Sequence, residues 1–131
     1  MKLLYIPFDH LHRNYGVLKN ADPASDQIIF VQSERMCDPS KWNPIRLYFL
    51  ISSARHLARQ LEAEGFTVHY VVAPTTNDGL DRARKKTGIQ KISGAQPSSF
   101  RSEAMLAEAG VEFVENDFFL TPRALFQSWA D

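Results

Sequence analysis

Short apolar runs alternate along the chain with longer stretches in which apolar residues recur every three or four positions. The runs at 3–8, 27–32, 67–72 and 111–114 have the length of strands, and 89–94 is a weaker fifth. Their Ile, Val, Phe and Tyr content suits strands covered on both faces, as in a parallel sheet.

The helical pattern is clearest over 43–64. Asn43 suits the cap, Pro44 the first helical position and Gly65 the left-handed stop. Leu47, Leu50, Ile51, Ala54, Leu57, Ala58 and Leu61 form one apolar stripe. At 1.5 Å per residue such a helix is about 31 Å long, enough to cross a sheet. Further helices are expected over 78–87, 98–109 and 121–130, the last with Pro122 at its start and Leu125, Phe126 and Trp129 turned inward. Gly65, Gly88 and Gly110 each stand between a helix and a strand. The repeated order predicts an α/β fold: a Rossmann-like, three-layer αβα domain with a five-stranded parallel sheet of order 3-2-1-4-5. Only the first crossover, 9–26, lacks a helical stripe, and a long irregular loop there is a functional candidate.

The chain of 131 residues suits one domain over 1–131. Fifteen basic and fifteen acidic side chains cancel, which argues against direct, non-specific nucleic-acid binding. Cys37 is the single cysteine, so neither an intrachain disulfide nor a paired-cysteine zinc site is possible. The apolar start is too short for a signal peptide or membrane span, and a cytoplasmic address is expected.

Ligands of open parallel sheets bind beyond the carboxyl ends of the strands, near the switch point of strand order. Those ends hold Phe8, Asp9, His10 and His12; Ser33, Glu34 and Met36; residues 73–76; and residues 95–99. The expected ligand cleft is lined by Asp9, His10, Ser33 and Glu34, with Phe8 and Met36 against a flat ring. Plainer readings stand beside each: Asp9-His10-Leu11-His12 as a turn rather than a metal site, Glu34 and Arg35 as a surface ion pair, and Ser98-Ser99 as a helix cap. His56 and His69 read as structural, and the basic run 82–86 as a solvated helix end. No Gly-x-Gly-x-x-Gly, Gly-Lys-Ser/Thr or Gly-x-Ser-x-Gly motif is present, so no catalytic or metal-binding residue is assigned.

Three stretches resemble the N-terminal domain of the cryptochrome/photolyase-related family, in its iron–sulfur bacterial branch. They are the segment from Arg46 through Val71 with its Ser52-x-x-Arg55-His56 pattern, the closing segment from Glu115 to Ala130, and the opening strand, loop and second strand with Asp9, Leu11 and Ser33-Glu34. The resemblance spans nearly the whole chain. It implies an α/β domain that packs, in cis or in trans, on a helical FAD-binding domain. It also implies an antenna pigment of ribityl-lumazine type in the α/β cleft, while FAD, any iron–sulfur cluster and the DNA-repair site belong to the part not represented here.

Two departures bear on the cleft. Where the family's first loop reads Gly-Asp-Gln-Leu, this chain has Phe8-Asp9-His10-Leu11, and where it often has His-Lys-Gln-Lys, this chain has Asn43-Pro44-Ile45-Arg46. A phenylalanine in place of glycine partly fills the space a ligand would use. Three functions are therefore expected from the sequence: an antenna-type photolyase-related domain that is inactive in repair on its own, a stand-alone module for a nucleotide or flavin-like ligand, and a ligand-free interaction domain.

Overall fold

The computed structural model describes residues 2–8, 11–14, 16–35, 37–38, 40–41, 43–97, 100–114 and 123–130. Five strands, β1 (Lys2–Tyr5), β2 (Asp26–Ser33), β3 (Thr67–Ala73), β4 (Ile92–Ala95) and β5 (Val111–Val114), form one sheet of order β3-β2-β1-β4-β5. Every pairing is parallel. The helices are α1 (Pro44–Ala63), α2 (Thr76–Thr87), α3 (Phe100–Glu108) and α4 (Arg123–Ala130). This is the Rossmann-like order that the alternation of patterns predicts.

Strand residues alternate between two cores. Leu4, Ile28 and Phe30 pack with Ala54, Leu57, Ala58 and Leu61 of α1. On the opposite face Leu3, Tyr5, Ile29, Val31 and Ile92 pack with Leu80 and Ala83 of α2 and Leu106 of α3. The first crossover contains one short 3-10 turn, Gly16–Leu18, which sits against β1 and β4 and buries Leu18 beside α1's core. Arg13 fastens this crossover. Its Nε donates to Glu64 Oε1 and Oε2 at 3.2 and 3.0 Å, Nη1 donates to the Leu18 carbonyl, and the guanidinium lies 5.6 Å from the Phe66 ring centroid.

Element ends follow local chemistry. Asn43 caps α1, its Oδ1 accepting the Ile45 N–H at 2.9 Å, with Pro44 next. Glycines of positive φ follow α1, α2 and α3: Gly65 at 98°, Gly88 at 72° and Gly110 at 79°. β1 stops earlier than the apolar run 3–8 suggests. Ile6 still donates to the Ile29 carbonyl, but Pro7 has no N–H to extend the ladder. β4 begins three residues later than expected, because residues after Gly88 serve as a connector in which Ile89 packs on the α2 core. α2 begins two residues earlier than its pattern suggested, with Thr75 as the cap. Residues 98–99 and 121–122, at the expected starts of two helices, lie outside the described residues. The inward turn expected of Trp129 is not what the structure has: its side chain is exposed. Among the described residues no helix is long and apolar enough to cross a membrane.

Candidate functional site

The carboxyl ends of β1, β2 and β3 meet at one rim, and hydrogen bonds beyond the ladder shape it. After β2 the Glu34 N–H donates to the Ala73 carbonyl at 2.9 Å and the Arg35 N–H to the Pro74 carbonyl at 3.1 Å. The Cys37 N–H turns back to the Ser33 carbonyl at 2.9 Å. The exits of β2 and β3 are thus held together for two residues past the last strand pair.

The residues expected at this rim fare differently. Ser33 is buried, and its Oγ donates to the Pro74 carbonyl at 3.4 Å. Glu34 is exposed, as is Arg35, and no ion pair joins the two. Phe8 is half-buried and packs, as Leu11 and Val17 also do, against the α1-side core, so its ring helps to close that face. Asp9, His10 and Met36 lie outside the described residues. His12 is exposed, its Nδ1 accepting the Asn14 N–H at 3.1 Å. Among the described residues no three His, Cys, Asp or Glu side chains gather as they would around a metal ion.

At the other strand ends, Thr75 caps α2 by accepting the Asp78 N–H at 3.2 Å, and Gln96 Nε2 donates to Glu103 of α3 at 3.4 Å. Asn77 sends Nδ2 to the Met105 carbonyl at 3.4 Å and leaves its buried Oδ1 without a donor among the described residues. Such an acceptor costs about 1–3 kcal/mol if nothing reaches it. Sequence reading passed over Asn77 because one amide in a first helical turn carries no pattern.

A second missed feature is on α1. Arg55 lies over the ring of Tyr70, 5.4 Å from its centroid, which fixes α1 against β3. α1 runs antiparallel to β3, so its first turns lie towards the carboxyl-end side of the sheet. There Ile45, Tyr48 and Phe49 are 79%, 76% and 67% exposed. Ser52, Arg55, His56 and Arg59 continue along the same exposed side. His56, read from sequence as structural, therefore faces outward. The available signal was apolar residues at i, i+3 and i+4 lying off the core stripe.

Tyr70 also donates to Gln32 Oε1 at 2.7 Å, and its ring stacks near Phe30. Burial pushes the Tyr70 phenol up, against the pull of Arg55. Burial likewise raises the thiol of half-buried Cys37, so it stays in its less reactive protonated form. Among the described residues of the rim no nucleophile and base are brought together. His69 also differs from a ligand: its Nε2 pairs with Gln27 Oε1 at 2.8 Å on the α2 side.

In comparisons with known proteins, a family model described as deoxyribodipyrimidine photo-lyase-related protein matches residues 4–131. No curated protein matches the chain.

Proposed function

The chain belongs to the deoxyribodipyrimidine photo-lyase-related family, and from that membership we propose that it serves as the α/β domain of a photolyase/cryptochrome-related flavoprotein. In this reading it docks on a helical FAD-binding domain, in cis or in trans, and works in the cytoplasm. The observation that carries the reading is the start of α1, where three large apolar side chains, Ile45, Tyr48 and Phe49, are exposed together. Scattered exposed apolar residues are ordinary, whereas a cluster of this kind marks a contact surface.

An antenna pigment of ribityl-lumazine type is proposed for the same rim. When bound, such a pigment supplies light absorption and passes the excitation to the flavin. Exposed Glu34 offers acceptors for ribityl hydroxyls. Asp9, His10 and Met36 belong to the proposed site by their chain position. The packing of Phe8 and the bond from Ser33 to Pro74 favour a second reading, in which the domain holds no ligand and acts by docking alone. Repair by this chain alone is not expected, since the electron must come from a reduced flavin.

The test mixes the chain with a helical FAD domain of the same family and follows complex formation by sedimentation. Ribityl-lumazine or flavin nucleotide is then titrated into wild type and Phe8→Gly. A one-to-one complex with pigment bound by wild type supports the full reading. A complex with pigment bound only by Phe8→Gly supports docking alone. No complex, with nucleotide-dependent thermal stabilisation, overturns both in favour of a stand-alone nucleotide- or flavin-binding module.

A further inference from the structure

α1 has two stripes. At 100° per residue Leu47, Ala54, Leu57, Ala58 and Leu61 point into the sheet, and all five are buried. Ile45, Tyr48, Phe49, Ser52, Arg55, His56 and Arg59 fall on the opposite side within an arc of about 120°, and all seven are exposed, with Arg55 at the edge of the arc also reaching back over the Tyr70 ring. This outward stripe changes character along the helix axis. Its first turn is apolar and aromatic, and its middle carries the guanidinium groups of Arg55 and Arg59. Between 44 and 61 the helix has no carboxylate at all. The first acids are Glu62 and Glu64, and Glu64 is already paired with Arg13.

We infer that this stripe seats one amphipathic, acidic helix of the partner, with apolar side chains against Ile45, Tyr48 and Phe49 and carboxylates against Arg55 and Arg59. The inference rests on the docking reading above and gives the partner surface its chemistry. The distance from Ile45 to Arg59 along the axis is about 21 Å, the length of roughly four helical turns. A helix laid along it sets its apolar i, i+3, i+4 anchors on the aromatic end and its charges on the cationic end. A lipid surface fits less well, because it needs an apolar face running the length of the helix. Nucleic acid also fits less well. The chain is neutral overall, and two arginines followed by Glu62 and Glu64 release few counterions.

The probes are a capped 20-residue helical peptide with leucines at helical spacing and glutamates between them, the same peptide with lysines for glutamates, and the helical FAD domain. Binding to wild type, Phe49→Ser and Arg59→Glu is read by fluorescence anisotropy at two salt concentrations. The acidic peptide is expected to bind wild type, more weakly at higher salt. Phe49→Ser should lose roughly tenfold or more, as at an aromatic anchor. Arg59→Glu should lose about tenfold and transfer its preference to the lysine peptide. The transfer needs a folded chain, so it separates lost contact from lost structure.

If the FAD domain binds and neither substitution weakens it, the stripe assignment is wrong while docking stands. If the acidic peptide binds with these sensitivities and the FAD domain does not bind, the stripe assignment stands and the identity of the docking partner is wrong. The stripe assignment is overturned if the acidic peptide fails to bind. It is also overturned if wild type prefers anionic phospholipid vesicles, a single-stranded oligonucleotide or a second copy of itself.

Discussion

Replacing Gly79 with alanine sets two effects of opposite sign against each other. Gly79 lies in the first turns of α2, where alanine ordinarily favours the helix by up to about 1 kcal/mol. Here α2 lies hard against β2. A Cβ at position 79 would stand 2.4 Å from Val31 Cγ1, 2.9 Å from Cγ2 and 3.2 Å from Cβ. Turning Val31 about χ1 exchanges one methyl for the other and leaves its Cβ in place, so either the helix or the strand must move. Overpacking of this kind costs about 1–3 kcal/mol. The clash exceeds the gain in propensity, and Gly79→Ala should destabilise by about 1–2 kcal/mol. At about 2.1 cal/mol/K per residue, that lowers the melting temperature of a 131-residue chain by about 4–7 °C. Urea unfolding of Gly79→Ala, Val31→Ala and the double variant provides the assay. Removing the valine methyls makes room for the new Cβ, so the double variant should be more stable than additivity predicts by about 1 kcal/mol. A Gly79→Ala protein more stable than wild type, or strict additivity, would refute the close approach.

Three further outcomes are expected. Asn43→Ala removes the acceptor of the Ile45 N–H and should lower stability by about 0.5–2 kcal/mol in urea unfolding, with Asn43→Ser restoring most of it. Arg13→Ala should raise amide exchange across 16–21 at least severalfold while leaving β2 protected, because the side chain ties that crossover to Glu64, the Leu18 carbonyl and Phe66; unchanged exchange would remove its fastening role. Burial first, and then Lys86, lower the His69 pKa in the fold, so the unfolded chain takes up the proton first as pH falls. The stability contributed is present above about pH 6.5 and is lost as pH falls towards the folded value. Melting temperature should therefore drop more from pH 7.5 to 5.5 in wild type than in His69→Gln, and equal drops would contradict the sign.

The sheet order was legible because its cues are local and repeat. Three helices end at glycine before a strand, and α1 carries both its cap and its core stripe in plain sequence. Boundaries were less legible where a single residue overrides a run, as Pro7 does for β1. The rim was harder still. Ser33 looks like a ligand group until Pro74, far along the chain, takes its hydroxyl. Phe8 reads equally as lining or filling until the α1-side core it packs against is known. The seating of Arg55 on Tyr70 joins residues of a helix and a strand that no short window of sequence contains.

The central place of β1 has a consequence for how the protein is made. β1 emerges first, finds β2 within the first 33 residues, and acquires its other neighbour only when β4 is complete at residue 95. At roughly 5–20 residues per second, the ribosome needs about 3–12 s to cover that interval. For those seconds the nascent chain presents the backbone of its most central strand, together with the apolar side chains of Leu3 and Leu4 within it, to whatever lies nearby. The stretch of synthesis between residues 33 and 95 is where a chaperone holding the growing chain would have its largest effect on yield.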